Sequence, residues 1–439
     1  MRIPFAIVLL LLPAGLFAQA SFQSQIRGTV WDSSGAVIPN AKVTITDVAT
    51  NLAKETKTDE KGDYTFNGLR PASYNMTVEA PGFKAREQKN VVLGVSQQTS
   101  LDFTLGPAEL ALSVDVSTAA PLLDTGNSAL GTNVAGDYTR DIPLYGRSYF
   151  GLVFLSGGVT ETSGSGIADN YPSGTNFVSN GQRNATAEVR LDGAPISAPE
   201  QGEGDTSNVY YQPSVETIQE FKVENNSFSA EFGNNGGTVI NSVMKSGGNR
   251  FHGSGWWFGQ RSALDANDFF SNASGIPVPE HSHNQYGGLL SGPIKKDKLF
   301  FLVDFERATD TTPRQIVATV PTDLQRMGDF SQTYTYDLNG NPVLQQIFNP
   351  FSITNGIRMP FKGNIIPPEM LDPIALNVMK LYPEPNVPGD PVSGTNNFRT
   401  NVPSTSEGYQ YDIKVDFMAN VKHHISGRYS MSHNVRQTP

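Results

Sequence analysis

Residues Tyr409 to Phe417 alternate without exception. Tyr409, Tyr411, Ile413, Val415 and Phe417 fall on one side of an extended chain, and Gln410, Asp412, Lys414 and Asp416 on the other. Side chains of a strand point to opposite faces in turn, so this segment predicts a strand with one greasy and one charged face. Leu299, Phe301, Val303 and Phe305 alternate in the same way with Phe300, Leu302, Asp304 and Glu306, as do Ile425, Gly427, Tyr429 and Met431 with His424, Ser426, Arg428 and Ser430. A soluble antiparallel sheet with one buried face gives this pattern. So does a barrel wall with lipid outside and a wet lumen inside, and periodicity alone leaves both open. No stretch beyond the N-terminus approaches 18 apolar residues. A membrane could then be entered only as a β-barrel, the one other structure that satisfies every backbone group in lipid.

Composition narrows the chemistry. None of the 439 residues is cysteine, which excludes disulfide frameworks, thiolate metal sites and thiol nucleophiles. With 32 basic against 42 acidic side chains and no dense basic block, nucleic acid is not an expected partner. Aromatic residues reach 10%, too many for a disordered chain, and accompany 42 glycines in a manner suited to an all-β protein. Residues 1–20 read as a cleaved secretory signal: Arg2, an apolar run from Ile3 to Leu12, then the small-x-small sequence Ala18-Gln19-Ala20. The apolar run is about half the length a spanning helix needs.

Residues 25–105 predict a small β-sandwich of seven or so strands. Val43 and Ile45 alternate with Lys42, Thr44 and Thr46; Tyr64 and Phe66 follow the turn Asp59-Glu60-Lys61-Gly62; Tyr74, Met76 and Val78 alternate with polar neighbours; and Leu101, Phe103 and Leu105 close the series. The strings IRGTVWDSSGAVIPNAKVTITD and TDEKGDYTFNGLRPASYNMTVEAPGFK resemble the carboxypeptidase regulatory-like domain, a transthyretin-like sandwich. The resemblance is to an accessory domain, since a metallocarboxypeptidase needs histidine ligands and this segment has no histidine. Asp59 and Asp63 lack the spacing of a calcium loop, so a hairpin turn is expected there.

A linker, residues 106–133, follows. Within it Val114, Asp115, Val116, Ser117, Thr118 and Ala119 alternate apolar with small polar residues and have no flanking strands. One reading is the first strand of the next domain. The other is an exposed segment that adds to a partner's sheet edge, and this one resembles the TonB box of outer-membrane receptors. Residues 134–250 come next. Asp141 to Val159 predicts a short helix with Phe150, Val153 and Phe154 on one face, ended by Gly157 and Gly158. Ser214 to Gly253, SVETIQEFKVENNSFSAEFGNNGGTVINSVMKSGGNRFHG, resembles the plug domain of TonB-dependent receptors of the Oar-like group. The motif residues are Glu220, Phe221, Glu231, Phe232, Gly233, Gly236 and Gly237. The glycines are expected where side chains would clash, and Gly247 and Gly248 where the chain leaves for the next domain.

Enzymatic readings fail on spacing. MKSGG is not a phosphate-binding loop, and no nucleophile elbow occurs near Asp192. Asp192, Glu216, Glu220, Glu224 and Glu231 are not paired by the sequence, so solvated faces or salt bridges are expected. His281 with His283, and His423 with His424, lack a third ligand at useful spacing, so no metal and no cofactor is expected. No catalytic residue is assigned.

Residues 251–439 resemble the start of the barrel of Oar-like receptors, through HNQYGGLLSGPIKKDKLFFLVDFE and PFKGNIIPPEMLDPIALNVMKLYPEPN. Trp256 and Trp257 fit an interfacial aromatic girdle, with a sugar platform as the alternative. Residues 308–408 hold 13 of the 29 prolines and predict a long irregular loop, with a short helix capped by Asp372 and begun by Pro373. A plugged transporter needs about 22 strands, more than these residues supply, so the sequence predicts a barrel truncated within its wall. The fold class is thus mainly β: a transthyretin-like sandwich, an α+β plug domain, then the first strands of an incomplete outer-membrane antiparallel barrel. The resemblance implies a non-enzymatic receptor or transporter in the cell outer membrane. Its implied partners are membrane lipid, the inner-membrane TonB complex, and an extracellular ligand such as a carbohydrate or peptide. The alternative is a secreted or surface carbohydrate-binding, adhesive sandwich protein.

Overall fold

The computed structural model describes residues 22–108, 115–118, 130–142, 144, 147–161, 177–182, 186–197, 209, 211–233, 236–267, 269, 272, 278, 280–420 and 423–437. The expected signal, residues 1–20, lies outside the described residues. The chain divides into two compact units, which are taken separately.

The first unit begins with the sandwich. Its strands are β1 (Ser24–Asp32), β2 (Lys42–Asp47), β3 (Ala53–Lys57), β4 (Asp63–Leu69), β5 (Ala72–Glu79), β6 (Arg86–Leu93), β7 (Gln98–Ser100) and β8 (Phe103–Leu105). One sheet runs β4-β1-β7 with β8 also on β1, and the other runs β3-β2-β5-β6 and then β9 (Asp115–Thr118). The alternation predicts the core well. Val43, Ile45, Met76 and Val78 are each at most 1% exposed while the intervening threonines face outward. Full burial of each such side chain is worth about 1.5–3 kcal/mol. Asp59 closes the expected turn: its carboxylate accepts the backbone N–H of Lys61 at 2.8 Å and of Asp63 at 2.9 Å.

The plug is built from β10 (Leu130–Ala135), β11 (Val159–Glu161), β12 (Phe177–Ser179), β13 (Glu188–Leu191), β14 (Ala194–Pro195), β15 (Ile218–Asn226) and β16 (Val239–Met244). Its main sheet has the order β10-β15-β16-β13-β14, and β11 pairs with β12 separately. Every residue of β16 is buried, and Ile218, Phe221 and Val223 of β15 join it in the core. The helix expected over Asp141 to Val159 is instead a short α-helix, Gly136–Asp141, and a 3₁₀ helix, Tyr149–Leu155. Tyr149, Phe150, Leu152 and Val153 are buried there, and Tyr149 stacks on Phe150 at 4.3 Å. Packing four bulky side chains from so short a run selects the tighter helix over the α-helix that Phe150, Val153 and Phe154 suggest.

A five-stranded sheet then follows chain order: β17 (His252–Arg261), β18 (Ser282–Lys295), β19 (Leu299–Ala318), and, after the intervening loop, the two strands Phe398–Asn420 and His423–Gln437. In the last hairpin, Tyr409 lies beside His433 and Tyr411 beside Met431, a falling register that makes it antiparallel. Gly247 marks the exit from the plug. A Cβ there would come within 2.5 Å of the Phe301 carbonyl and 2.7 Å of the Gly292 carbonyl, so only glycine passes between the strands.

The second unit holds the loop and the strand parts nearest to it. The expected irregular excursion, 308–408, is shorter than predicted, because β19 runs on to Ala318 and the strand Phe398–Asn420 begins before Gly408. Between them stand two small hairpins, β20 (Tyr334–Tyr336) with β21 (Pro342–Leu344) and β22 (Phe348–Thr354) with β23 (Ile357–Pro360). The helix Pro373–Met379 forms as predicted: the Asp372 carboxylate accepts from the N–H of Ile374 at 2.7 Å and of Ala375 at 3.2 Å. The long strands after the loop are β24 (Phe398–Asn420) and β25 (His423–Gln437).

Candidate functional site

The decisive geometry lies on β24. Asp412, Lys414 and Asp416 are 0%, 4% and 1% exposed, while Ile413, Val415 and Phe417 are 43%, 36% and 40% exposed. On β19, Asp304 and Glu306 are buried in the same way and Phe305 stands outside. The sheet is therefore inside-out relative to the sandwich: charge is covered and grease is bare. Water cannot be the solvent on both sides of such a wall, because bare apolar rows of this length are costly in water and buried charge is tolerated only with partners.

The partners come from the plug. Between β13 and β14 the chain turns at Asp192 and Gly193, both with positive φ (51° and 81°), the type I′ hairpin that an Asp-Gly pair favours. The turn puts the Asp192 carboxylate at its apex. One of its oxygens accepts from the Lys414 ammonium at 3.1 Å and from the Met244 N–H at 3.1 Å, and the Arg428 guanidinium stands 3.8 Å from the other. Lys414 also donates to the Met244 carbonyl at 3.2 Å, and Arg428 to the Leu191 carbonyl at 3.4 Å. The Tyr211 hydroxyl donates to Asp412 at 2.6 Å, and Ser430 bonds the same carboxylate. Burial raises the affinity of the Tyr211 hydroxyl for its proton, which keeps it a donor. Asp416 pairs with His424 at 3.0 Å and with Arg70 of the sandwich at 3.6 Å, and Arg70 also reaches Ser246. Wall, plug and sandwich are thus tied by charged contacts in one unit.

Salt bridges, one of the two uses expected of the plug's acidic residues, account for Asp192, Glu216 and Glu224. Glu216 pairs with Arg147 at 2.7 Å and Glu224 with Lys222 at 2.8 Å, both buried. Glu220 faces the sandwich: Asn133 donates to it at 3.4 Å, and the backbone of Val95 also bonds it. Burial pushes its carboxyl up to about 7. Gln219 donates to the Pro71 carbonyl at 2.7 Å across the same seam. Phe221 is fully buried against Tyr149, and Phe232 is covered by the Arg190 guanidinium at 4.9 Å. Glu231 is exposed. Of the three motif glycines only two are crowded: a Cβ at Gly237 would meet Gln182 at 2.9 Å and one at Gly236 would meet Thr186 at 3.2 Å, while Gly233 is open.

The coupling segment holds a surprise of placement. Val114 and Ala119 lie outside the described residues. Asp115, Val116, Ser117 and Thr118 form β9, which is neither unflanked nor the first strand of the next domain. It pairs in parallel with β6 at the sandwich edge, Arg86↔Asp115, Glu87↔Val116, Gln88↔Ser117 and Lys89↔Thr118. A hydrogen bond nets about 0.5–1.5 kcal/mol, and ordering a residue costs about 1–2 kcal/mol. So short a parallel ladder is close to balanced.

Two further expectations change. Trp256 and Trp257 do not share a girdle: Trp256 turns inward and donates to Glu306 at 3.0 Å, whereas Trp257 is 66% exposed. Three of the four histidines find a carboxylate the sequence spacing hid, His281 with Asp265 at 3.0 Å, His283 with Asp310 at 3.5 Å, and His424 with Asp416. Among the described residues no three ligands gather for a metal.

A sheet that covers its charged row and bares its apolar row is the arrangement of an outer-membrane β-barrel wall. Residues 243–439 match the model of the outer membrane beta barrel domain, and residues 25–106 that of the carboxypeptidase regulatory-like domain. The chain is similar to the TonB-dependent transporter Oar of Myxococcus xanthus, 29% identical over 307 residues, which is 66% of this chain and 27% of that protein. It therefore spans 27% of the length of this curated relative. Among solved structures, the outer membrane transporter YddB from Escherichia coli aligns at 12% identity and a TM-score of 0.39, over 66% of this chain and 31% of that one. The 3-chlorocatechol 1,2-dioxygenase from Rhodococcus opacus 1CP aligns at 14% identity and a TM-score of 0.17, over 20% and 61%. The outer-membrane barrel match assigns this chain to the outer membrane. The similarity to a transporter points away from an enzyme.

Proposed function

We propose that this chain carries the N-terminal domains of a TonB-dependent outer-membrane transporter. In this reading residues 134–250 are the plug, residues 251–439 belong to the barrel, and the 106–133 linker carries the coupling segment Val114 to Ala119. The inner-membrane TonB complex pairs with that segment and pulls, and the pull rearranges the plug to admit a ligand held at the outer face. A carbohydrate or a peptide is the proposed ligand class. The observation that carries this reading is the covered charge on β24, with Lys414 and Asp412 bonded to the plug residues Asp192 and Tyr211. Such contacts hold a plug in place, yet they can be exchanged for water when the plug moves, which an apolar seam cannot do at low cost.

Purified chain in detergent, titrated with the periplasmic domain of TonB, tests the coupling step. Binding is expected, and deletion of Leu112 to Thr118 is expected to abolish it. Binding that survives the deletion removes these residues from the role. Cell fractionation checks the setting, since a chain recovered in soluble form without detergent contradicts a lipid-facing wall.

A further inference from the structure

We infer that the β6 edge of the sandwich is a resting cradle for the coupling strand, so that the sandwich and the partner compete for it. This rests on the reading of residues 114–119 given above. β9 is the end strand of its sheet, and β6 is its neighbour through a four-residue register. Strand addition is also how such a segment is recognised by a partner's sheet edge. The sandwich therefore already offers, within the same chain, the kind of surface that the partner offers.

Two features suit a cradle that is emptied and refilled. The stretch of β6 under β9 reads Arg86-Glu87-Gln88-Lys89, and Glu87 and Lys89 pair with each other at 3.7 Å. Charged residues are what proteins place on an edge strand that becomes exposed, because they discourage pairing with other chains. The apolar residues of β6 all lie beyond the paired stretch: Val91 and Leu93 are buried in the sandwich core and Val92 is exposed, so the strand's contribution to the apolar core comes from outside the stretch that β9 covers. Load is the second consideration. While β9 stays in the sheet, a pull on it is borne by the sandwich. Once released, it can be borne by the chain leading to β10 and the plug. Release of β9 thus becomes the step that turns binding into work on the plug.

The chain has no cysteine, so one engineered pair tests this cleanly. Lys89→Cys with Thr118→Cys joins two register partners. Mild oxidation of the full chain in detergent is expected to close the disulfide. The oxidised form should then bind the TonB periplasmic domain at least about tenfold more weakly, since the competent population is removed, and dithiothreitol should restore binding. If the disulfide fails to form, β9 does not rest on β6 and the inference falls. If it forms and both redox states bind equally, the cradle does not compete, and the inference falls while the coupling role stands. If neither the reduced variant nor the unmodified chain binds, the coupling role itself fails and takes the inference with it.

Discussion

The sandwich and the barrel sheet are written in the same period and built in opposite senses. On β2 and β5 the apolar residues Val43, Ile45, Met76 and Val78 are covered and the polar ones face outward. On β24 the apolar residues Ile413, Val415 and Phe417 are bare, and Asp412, Lys414 and Asp416 are covered. An alternation says that a strand has two unlike sides. It does not say which side meets solvent, because that depends on what the solvent is. What separates the two cases is the quality of the polar partners. Sandwich threonines need none beyond water, whereas each covered charge of β24 has been given one, from Asp192, Tyr211 or His424.

The largest way to break this contrast is to orphan a covered charge. Lys414→Ala leaves Asp192 buried beside Arg428 alone, and removing one member of a buried pair costs about 3–5 kcal/mol. The loss is expected as a lower guanidinium midpoint in detergent, with Asp192→Asn added in the double variant recovering much of it. Equal instability of single and double variants would mean that the pair does not hold the plug. Next in size is a charge on the bare face. Val415→Arg, one residue along the same strand, is expected to cost about 2–4 kcal/mol at mid-membrane depth and to cut the amount recovered in the membrane fraction. In detergent-free buffer a solvent-facing position would tolerate the same arginine. Undiminished membrane yield would therefore put water against that face.

How much of this the sequence displayed depended on the distance over which each contact acts. The Asp59 turn and the Asp372 cap are local bonds, spanning at most four residues, and both were legible. The two tryptophans were legible in principle as well: adjacent residues of a strand face opposite ways, so Trp256 and Trp257 could not both enter a girdle. Asp192 was visible only as half of a turn signal, because its partners Lys414 and Arg428 stand more than two hundred residues away. Similarly, nothing in Asp115 to Thr118 names β6 as a neighbour; strand pairing is a property of two edges and a sequence lists them separately. The 3₁₀ helix Tyr149–Leu155 buries Tyr149 and Leu152 as well as Phe150 and Val153, a set that the spacing of Phe150, Val153 and Phe154 does not report.

The smallest expected effect concerns Glu220, a half-buried acid of the plug with no cation beside it among the described residues. Asp192 is held between Lys414 and Arg428, but among the described residues Glu220 at the sandwich seam has Asn133 and a backbone N–H, and burial lifts its carboxyl to about 7. A carboxyl that binds its proton more tightly when folded than when unfolded stabilises the folded state under acid conditions and loses that contribution as pH rises through the folded value. The seam should therefore be firmest below about 4.5, the ordinary value for the group, and should weaken between there and about 7, by no more than about 3 kcal/mol. Glu220→Gln keeps the shape and removes the titration, so it should flatten the pH profile over this window and stabilise the chain at pH 8. The midpoint of thermal unfolding in detergent, followed from pH 5 to pH 8, reads both effects. A profile unchanged by the substitution would show that Glu220 is open to water, and that the sandwich does not close over the plug there.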